Sequence, residues 1–215
     1  MKIGILGTGM VGQAIGSKLI QLGHEVKMGS RSANNEKASQ WAKTNGANAS
    51  HGAFAEAAAF GELVFNCTSG GASLEALKLA GAANLKGKIL IDVANTLDFS
   101  KGRPPTLSVC NTDSLAEQIQ RAFPESKVVK TLNTVNCNVM VNPSLLKEDH
   151  AVFVSGNDPE AKARVTSILK EWFGWKSVVD LGDITSARGP EMFLPLWIGL
   201  SRVVGTPNFN FKIVR

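Results

Sequence analysis

The stretch that decides the fold is Gly7-Thr8-Gly9-Met10-Val11-Gly12, a G-x-G-x-x-G motif directly after a predicted buried strand, Lys2–Leu6. Apolar residues at helical spacing follow, so the motif lies where a strand turns into a helix. There the first glycine allows a tight turn, the second lets the backbone approach a pyrophosphate, and the third lets helix and strand pack closely. The helix start adds unpaired N–H groups for the anion. The predicted dinucleotide-binding residues are Gly7, Thr8, Gly9, Met10, Val11 and Gly12.

The end of the second predicted strand, Glu25–Met28, indicates which dinucleotide binds. An NAD site has an acidic residue there, but this chain continues Gly29-Ser30-Arg31-Ser32. The guanidinium of Arg31 can bind a 2′-phosphate, Ser30 can add a hydroxyl donor, and Lys37 can add a point charge. One or two hydrogen bonds of about 1.5–3 kcal/mol each favour NADP over NAD by roughly 10- to 1,000-fold. The alternatives are an ordinary surface arginine and a solvated helix lysine.

Short β-rich runs alternate with helical patterns along the whole chain, which predicts a parallel sheet with crossover helices. The predicted strands of the double mononucleotide-binding unit are Lys2–Leu6, Glu25–Met28, Ala47–Ser50, Leu63–Thr68, Lys88–Val93 and Lys127–Thr131. Two further predicted strands, Ala151–Ser155 and Ser177–Leu181, flank a helix that starts at Asp158-Pro159, and an apolar, proline-kinked helix runs to about Val204. We therefore expect one α/β domain over residues 1–215: a Rossmann-type, doubly wound, mainly parallel sheet, with a dinucleotide-binding core at about 1–150. A sheet extension and an acceptor-side helix follow at about 151–215.

Two polar pairs outside the motif predict local contacts. Ser114 and Glu117 have the spacing of a capping box that opens a helix, which Pro124 then closes. Arg188 and Glu191, three residues apart, predict an ion pair at the start of a later helix, with contact to the substrate as the alternative.

Composition excludes several classes of function. The 215 residues contain no tyrosine, so the Tyr-and-Lys chemistry of short-chain dehydrogenases is absent. The net charge of +5 forms no basic block, so we expect no nucleic-acid partner. Three scattered histidines predict no metal site, and three cysteines without C-x-x-C spacing favour a reducing cytoplasm. No apolar run reaches the roughly 18 residues of a membrane span.

Several segments together resemble a known family. They are Met1–Gly12, Gly23–Val26, Gly29–Arg31, Val128–Asn133, Ser155–Lys162, Val179–Gly182, Ser186–Arg188 and Phe211–Ile213. In these segments the chain is similar to the NADPH-dependent coenzyme F420 reductases, which pass hydride between NADP and a deazaflavin. It also resembles the cytoplasmic oxidoreductase domains of STEAP-type ferric reductases, although we expect no counterpart of their membrane half.

The resemblance implies roles for particular residues of this chain. Thr8–Val11 would bind the pyrophosphate, and Ser30, Arg31 and Lys37 the 2′-phosphate. Beyond the later strands, Thr68 and Ser69 would line the other side of the cofactor, Ala94 and Asn95 would lie near the nicotinamide, and Asn133, Thr134 and Val135 would face the acceptor ring. The alternatives are a helix cap for Thr68 and Ser69, an Asx turn for Asn95, and an ordinary loop for residues 133–135. Asn133 stands where the F420 reductases have a histidine, which keeps FMN or FAD open as acceptor beside F420.

Hydride transfer between two rings requires orientation and exclusion of water rather than reactive side chains. We accordingly predict no catalytic side chain. The leading prediction is an NADPH-dependent reductase of F420 or a flavin, a homodimer acting on a small molecule. A β-hydroxyacid-type dehydrogenase is the second, although its all-helical substrate domain does not match the strands after Thr131. A non-catalytic NADP sensor is the third.

Overall fold

A computed structural model describes residues 1–214. The strands are β1 (Lys2–Leu6), β2 (Glu25–Ser30), β3 (Ala49–Ala53), β4 (Leu63–Asn66), β5 (Ile89–Asp92), β6 (Leu97–Asp98), β7 (Thr106–Leu107), β8 (Lys127–Thr131), β9 (Ala151–Gly156) and β10 (Ser177–Asp180). The α-helices are α1 (Met10–Gln21), α2 (Glu36–Asn45), α3 (Phe54–Phe60), α4 (Gly70–Ala80), α5 (Ala82–Leu85), α6 (Leu115–Ala122), α7 (Cys137–Val141), α8 (Pro159–Ile168), α9 (Arg188–Met192) and α10 (Leu194–Val204). Helix α8 continues into a π-helical turn, Leu169–Phe173, and 3₁₀ turns occupy Pro143–Leu145 and Ile184–Ala187.

Eight strands form one sheet in the order β10-β9-β8-β5-β4-β1-β2-β3. All neighbouring pairs are parallel except β8 and β9, which are antiparallel. The predicted Rossmann-type, doubly wound and mainly parallel sheet is therefore confirmed, including its extension by two C-terminal strands. Strands β1, β4, β5 and β8 all end at one side of the sheet, which we call the carboxyl edge. Ligands of open α/β sheets bind at this edge.

Helices cover both faces of the sheet because side chains alternate along each buried strand. Ile3 and Ile5 of β1 pack against Ile15 in the core on one face, whereas Leu6 packs with Leu77 in the core on the other. Both cores extend to the carboxyl edge, so the turn after β1 packs on buried apolar residues. Within residues 1–214, no helix is long and apolar enough to cross a bilayer, and no three His, Cys, Asp or Glu side chains are grouped to hold a metal ion.

The elements without a counterpart in the sequence predictions include α3, α5, α7 and the β6–β7 hairpin. The segment Phe54–Phe60 is rich in alanine and has little apolar contrast between its faces, which hides helical periodicity. Helix α3 packs on β1 at Gly4, where a Cβ would lie 2.3 Å from the carbonyl oxygen of Ala57. The strands of the hairpin are two residues each, too short to produce an alternating pattern.

Strand ends differ from the predictions where side chains or pairing partners intervene. Strand β2 continues to Ser30 because its last residues pair with β3. Strand β3 begins two residues later than predicted, since this small, polar edge strand has little pattern to fix its register. Strand β4 stops at Asn66, whose Oδ1 accepts hydrogen bonds from the backbone N–H and the hydroxyl of Thr68 and so turns the chain.

One of the two predicted polar contacts is half right and the other is wrong. Ser114 caps α6 by accepting from the Glu117 N–H at 3.1 Å, but the carboxylate of Glu117 binds the Ser114 hydroxyl and Arg188. Arg188 therefore does not pair with Glu191. The carboxylate of Glu191 is buried and accepts from the backbone N–H groups of Leu115 and Ala116. Local spacing failed here because tertiary partners bind both side chains.

The ion pair between Asp113, just before α6, and Arg121, on α6, should make part of the stability of the fold depend on pH. Hydrogen bonds from Arg121 are the main cause that lowers the pKa of Asp113 to about 2. A lowered carboxyl pKa means that the pair stabilises the fold above about pH 4 and that this contribution is lost as the pH falls toward 2. We expect Arg121→Gln to flatten the fall of the urea unfolding midpoint between pH 5 and 2. Lys86→Gln, which breaks the exposed Lys86–Glu125 pair, is the control; an equal change in both variants would contradict the assignment.

Candidate functional site

The turn between β1 and α1 is built from three glycines with different surroundings. Gly7 has φ +117°, and its N–H donates to the Gly29 carbonyl of β2 at 2.9 Å. A Cβ on Gly7 would lie 2.6 Å from the Cys67 carbonyl oxygen, and one on Gly12 would lie 2.3 Å from the Gly7 carbonyl oxygen. A Cβ on Gly9 would meet no protein atom within 4 Å. The two outer glycines are thus required by the fold, whereas Gly9 faces open space.

The start of α1 has backbone N–H groups that can bind an anion. Gly9 is the N-cap residue and supplies no side-chain cap, and no acidic residue lies in the first turn. The first N–H groups of a helix have no intrahelical acceptor, so these amides are donors for a ligand. The Thr8 carbonyl accepts from the side chain of Gln13, Val11 is half-buried, and Met10 is largely exposed at the rim.

The contrast between Gly9 and Gly12 gives a test of the turn. We expect Gly9→Ala to keep the unfolding free energy within about 1 kcal/mol, because nothing is displaced, while weakening NADPH binding about tenfold or more. Gly12→Ala should instead destabilise the fold by about 1–3 kcal/mol, since a backbone atom must move. Titration calorimetry with NADPH and urea unfolding measure the two quantities. Unchanged NADPH affinity in Gly9→Ala would exclude this turn from the site.

The predicted 2′-phosphate residues follow β2, next to the glycine turn. Arg31 and Lys37 are exposed, and across residues 1–214 neither lies within ion-pair distance of a carboxylate. Ser30 is buried, and its hydroxyl donates to the Ser32 carbonyl. Its hydroxyl proton therefore already has an acceptor within the loop. Of the three predicted 2′-phosphate residues, Arg31 and Lys37 are the ones whose side chains are available to bind an anion.

A groove of about 430 Å³ opens at the carboxyl edge beside the start of α1. Five predicted site residues line it: Val11, Thr68, Ser69, Ala94 and Asn95. Phe99 of the β6–β7 hairpin forms an outer wall that the sequence did not reveal, because a lone aromatic residue in a loop gives no pattern. Cys67 is the sole ionisable residue of the described lining, and burial raises its thiol pKa, so the thiol stays protonated. The groove can orient flat rings but offers no acid or base.

Thr68 and Ser69 lie at the mouth of this groove. The Thr68 hydroxyl is 2.8 Å from the Ser73 hydroxyl and donates to Asn66 Oδ1 at 2.7 Å. Ser69 is the N-cap residue of α4 by position, yet its hydroxyl makes no capping hydrogen bond. The capping alternative for these two side chains therefore does not hold, and Ser69 is exposed toward solvent.

Asn133, Thr134 and Val135 lie in the loop after β8, with their side chains covered; each residue is at most 5% exposed. Asn133 donates from Nδ2 to Asn95 Oδ1 and to the Pro190 carbonyl, and its own carbonyl accepts from Asn95 Nδ2, all at 3.0 Å. The structure thus joins Asn133 to Asn95, and of these two residues only Asn95 lines the groove. The preceding Leu132 has φ +61° in a buried position, a costly conformation for a branched side chain.

A buried cluster of charges lies beneath the groove, and sequence reasoning missed it. The ammonium of Lys130 donates to Asp92 Oδ2 at 2.8 Å, to Glu191 Oε1 at 2.8 Å and to the Ala94 carbonyl at 2.6 Å. Burial alone would lower the pKa of Lys130, but the two carboxylates raise it above its ordinary value. Asn66 Nδ2 donates to the other oxygen of Asp92. The sequence signal that could have revealed this cluster was Lys130 itself, because a lysine inside a buried strand requires a buried partner for its charge.

Comparisons with known proteins identify the family and the fold. The family model described as NADP oxidoreductase, coenzyme F420-dependent, matches residues 2–96. A protein from Arthrobacter sp. FB24, provisionally described as an F420-dependent NADP reductase, is 55% identical over 100% of both chains, with a TM-score of 0.95. A Bacillus cereus imine reductase (16% identity, TM-score 0.64) and an Aspergillus terreus reductive aminase in complex with NADPH (20%, 0.65) share the fold. Each matches 95% of this chain, which spans 62% of their length.

Proposed function

The chain belongs to the family of coenzyme F420-dependent NADP oxidoreductases, and we propose that it transfers hydride between NADP(H) and a deazaflavin, with a flavin as the second candidate acceptor. The observation that carries the proposal is that the uncapped helix start at Gly9 lies beside Arg31. Arg31 is exposed, and no carboxylate of residues 1–214 lies within ion-pair distance of it. An open position at Gly9 fits a pyrophosphate, and an arginine after β2 in place of an acid fits a 2′-phosphate.

The protein's part in this reaction is to bind and orient. The amides of the α1 start and Arg31 would hold the two phosphate groups, and Lys37 would add a second positive charge. Thr68, Ser69, Ala94 and Asn95 would line the nicotinamide end. NADPH, when bound, supplies the hydride. The proposal requires no side chain of the groove to move a proton, and the buried Cys67 thiol with its raised pKa supports this. Close stacking of two rings and exclusion of water then account for catalysis.

Oxidation of NADPH at 340 nm with F420, FMN and FAD offered separately tests the proposal. We expect turnover with F420, or with a flavin if Asn133 in place of histidine changes the acceptor, and much slower turnover with NADH. Tight NADPH binding without turnover on any of the three would overturn it in favour of a non-catalytic sensor.

A second copy of this chain is the partner that we propose for α10. Leu196 is 54% exposed and Val203 85% exposed, although both belong to an apolar helix. The indole Nε1 of Trp197 is buried without an acceptor within residues 1–214. We expect a dimer by light scattering and a monomer for Val203→Glu. The control is Lys170→Glu, a charge change on the π-helical turn outside α10; monomeric wild type would contradict the proposal.

The cytoplasm is the location that we propose. Support comes from Cys67, Cys110 and Cys137, all of which are free thiols in the described chain.

A further inference from the structure

The peptide bond between Ala94 and Asn95 is held on several sides at the wall of the groove. The Ala94 carbonyl accepts from Lys130 at 2.6 Å, and the Ala94 N–H donates to Asp92 Oδ1 at 3.3 Å. The Asn95 carbonyl accepts from the Gly70 N–H at 3.1 Å, so closely that a Cβ on Gly70 would lie 2.2 Å from that oxygen. This backbone segment therefore has one orientation that the surrounding groups allow.

Lys130 is itself fixed by groups from separate elements. An ammonium has three protons, and the three acceptors Asp92, Glu191 and the Ala94 carbonyl match them. The carboxylate of Glu191, on α9, is held in turn by the first N–H groups of α6, from Leu115 and Ala116. The position of the Lys130 ammonium thus depends on β5, α6 and α9 together.

The orientation of this peptide has a consequence for the groove. In a trans peptide the C=O and the following N–H point in opposite directions. Because the Ala94 carbonyl points at the buried ammonium, the Asn95 N–H points away from it. Asn95 lines the groove, and its N–H donates to no acceptor in residues 1–214. A backbone donor without a partner at a groove wall is a hydrogen-bond donor for a ligand.

We propose that Lys130 is a positioning residue: with Asp92 and Glu191 it fixes the peptide of residues 94 and 95, so that the Asn95 N–H donates to the carboxamide oxygen of the nicotinamide. This inference rests on the proposed NADP site and adds a donor for its nicotinamide half. Loss of the Lys130 ammonium frees the Ala94 carbonyl to rotate, and the Asn95 N–H rotates with it. The adenosine half of the site, at Arg31, lies on a different loop and is not affected.

The test compares NADP⁺ with 2′,5′-ADP, which lacks the nicotinamide, by calorimetry on the full chain. In Lys130→Met we expect NADP⁺ affinity to fall about tenfold and 2′,5′-ADP affinity to stay within about twofold. Glu191→Gln keeps the size of the side chain and removes one charge. We expect its affinity for NADP⁺ to fall about threefold and its affinity for 2′,5′-ADP to stay unchanged. If Lys130→Met does not fold, Glu191→Gln tests the positioning role in its place. In either variant kcat should fall more than the KM for NADPH rises.

The matched control is Arg188→Gln, which breaks the neighbouring Arg188–Glu117 contact between α9 and α6 without touching Lys130. It should bind both ligands as the wild type does. Equal loss of both ligands in the Lys130 and Glu191 variants, or loss of neither, would overturn the positioning role. Failure of the wild type to bind 2′,5′-ADP would instead overturn the proposed NADP site.

Discussion

Replacement of Arg31 by alanine is expected to weaken NADPH binding by about 10- to 1,000-fold and to leave NADH binding within about twofold. The reason is that Arg31 is an exposed cation that no carboxylate of residues 1–214 neutralises, beside the turn that receives the pyrophosphate. Its planar guanidinium can bind two oxygens of a phosphate, and NADH has no 2′-phosphate. Calorimetric titration with both nucleotides at one ionic strength measures the difference.

Two controls sharpen this result. Lys37→Ala should cost NADPH affinity about tenfold at most, because an ammonium acts there as a single point charge. Raising the salt concentration should reduce the preference of the wild type for NADPH, since an exposed charge pair is screened. Wild-type protein that binds NADH as tightly as NADPH would refute both the role of Arg31 and the cofactor choice.

Replacement of Lys130 by methionine should lower the free energy of unfolding by about 3–5 kcal/mol. The change leaves the carboxylates of Asp92 and Glu191 buried without their shared cation. Methionine fills a similar volume, so the loss reports the missing charge rather than a cavity. Urea unfolding at pH 7 measures it.

Lys127, on the same strand, provides a control. Lys127→Met removes a partly exposed pair with Asp158 and should cost about 1 kcal/mol or less. A cost below about 1 kcal/mol for Lys130→Met would show that the buried cluster contributes no net stability.

The sequence predicted the parts of this molecule whose causes are local. The glycine motif and the apolar strands depend on backbone conformation and alternation, and the fold they predicted is confirmed. The family prediction is confirmed by the 55% identical relative, whereas the likeness to STEAP-type domains stays a prediction. The roles of the predicted site residues also stay predictions.

The features that the sequence did not predict depend on contacts between residues far apart in the chain. Glu191 binds Lys130, 61 positions earlier, and Arg188 binds Glu117, 71 positions earlier. Spacing within one helix could not reveal either partner. Phe99 reaches the groove because a hairpin of very short strands folds back over it, and nothing in the local pattern marks that fold.

The reversal of β9 against β8 determines at which edge of the sheet the following helix, α8, begins. Because β9 and β10 run the other way, the helix between them starts at the opposite edge, where Asp158 caps it and Lys127 pairs with that carboxylate. The Ala161 N–H of this helix donates to the Asp158 carboxylate at 2.7 Å, so an acidic side chain of the protein already occupies the helix start. The N-terminus of α8 therefore does not lie at the carboxyl edge, and an anion bound there would have to displace the Asp158 carboxylate.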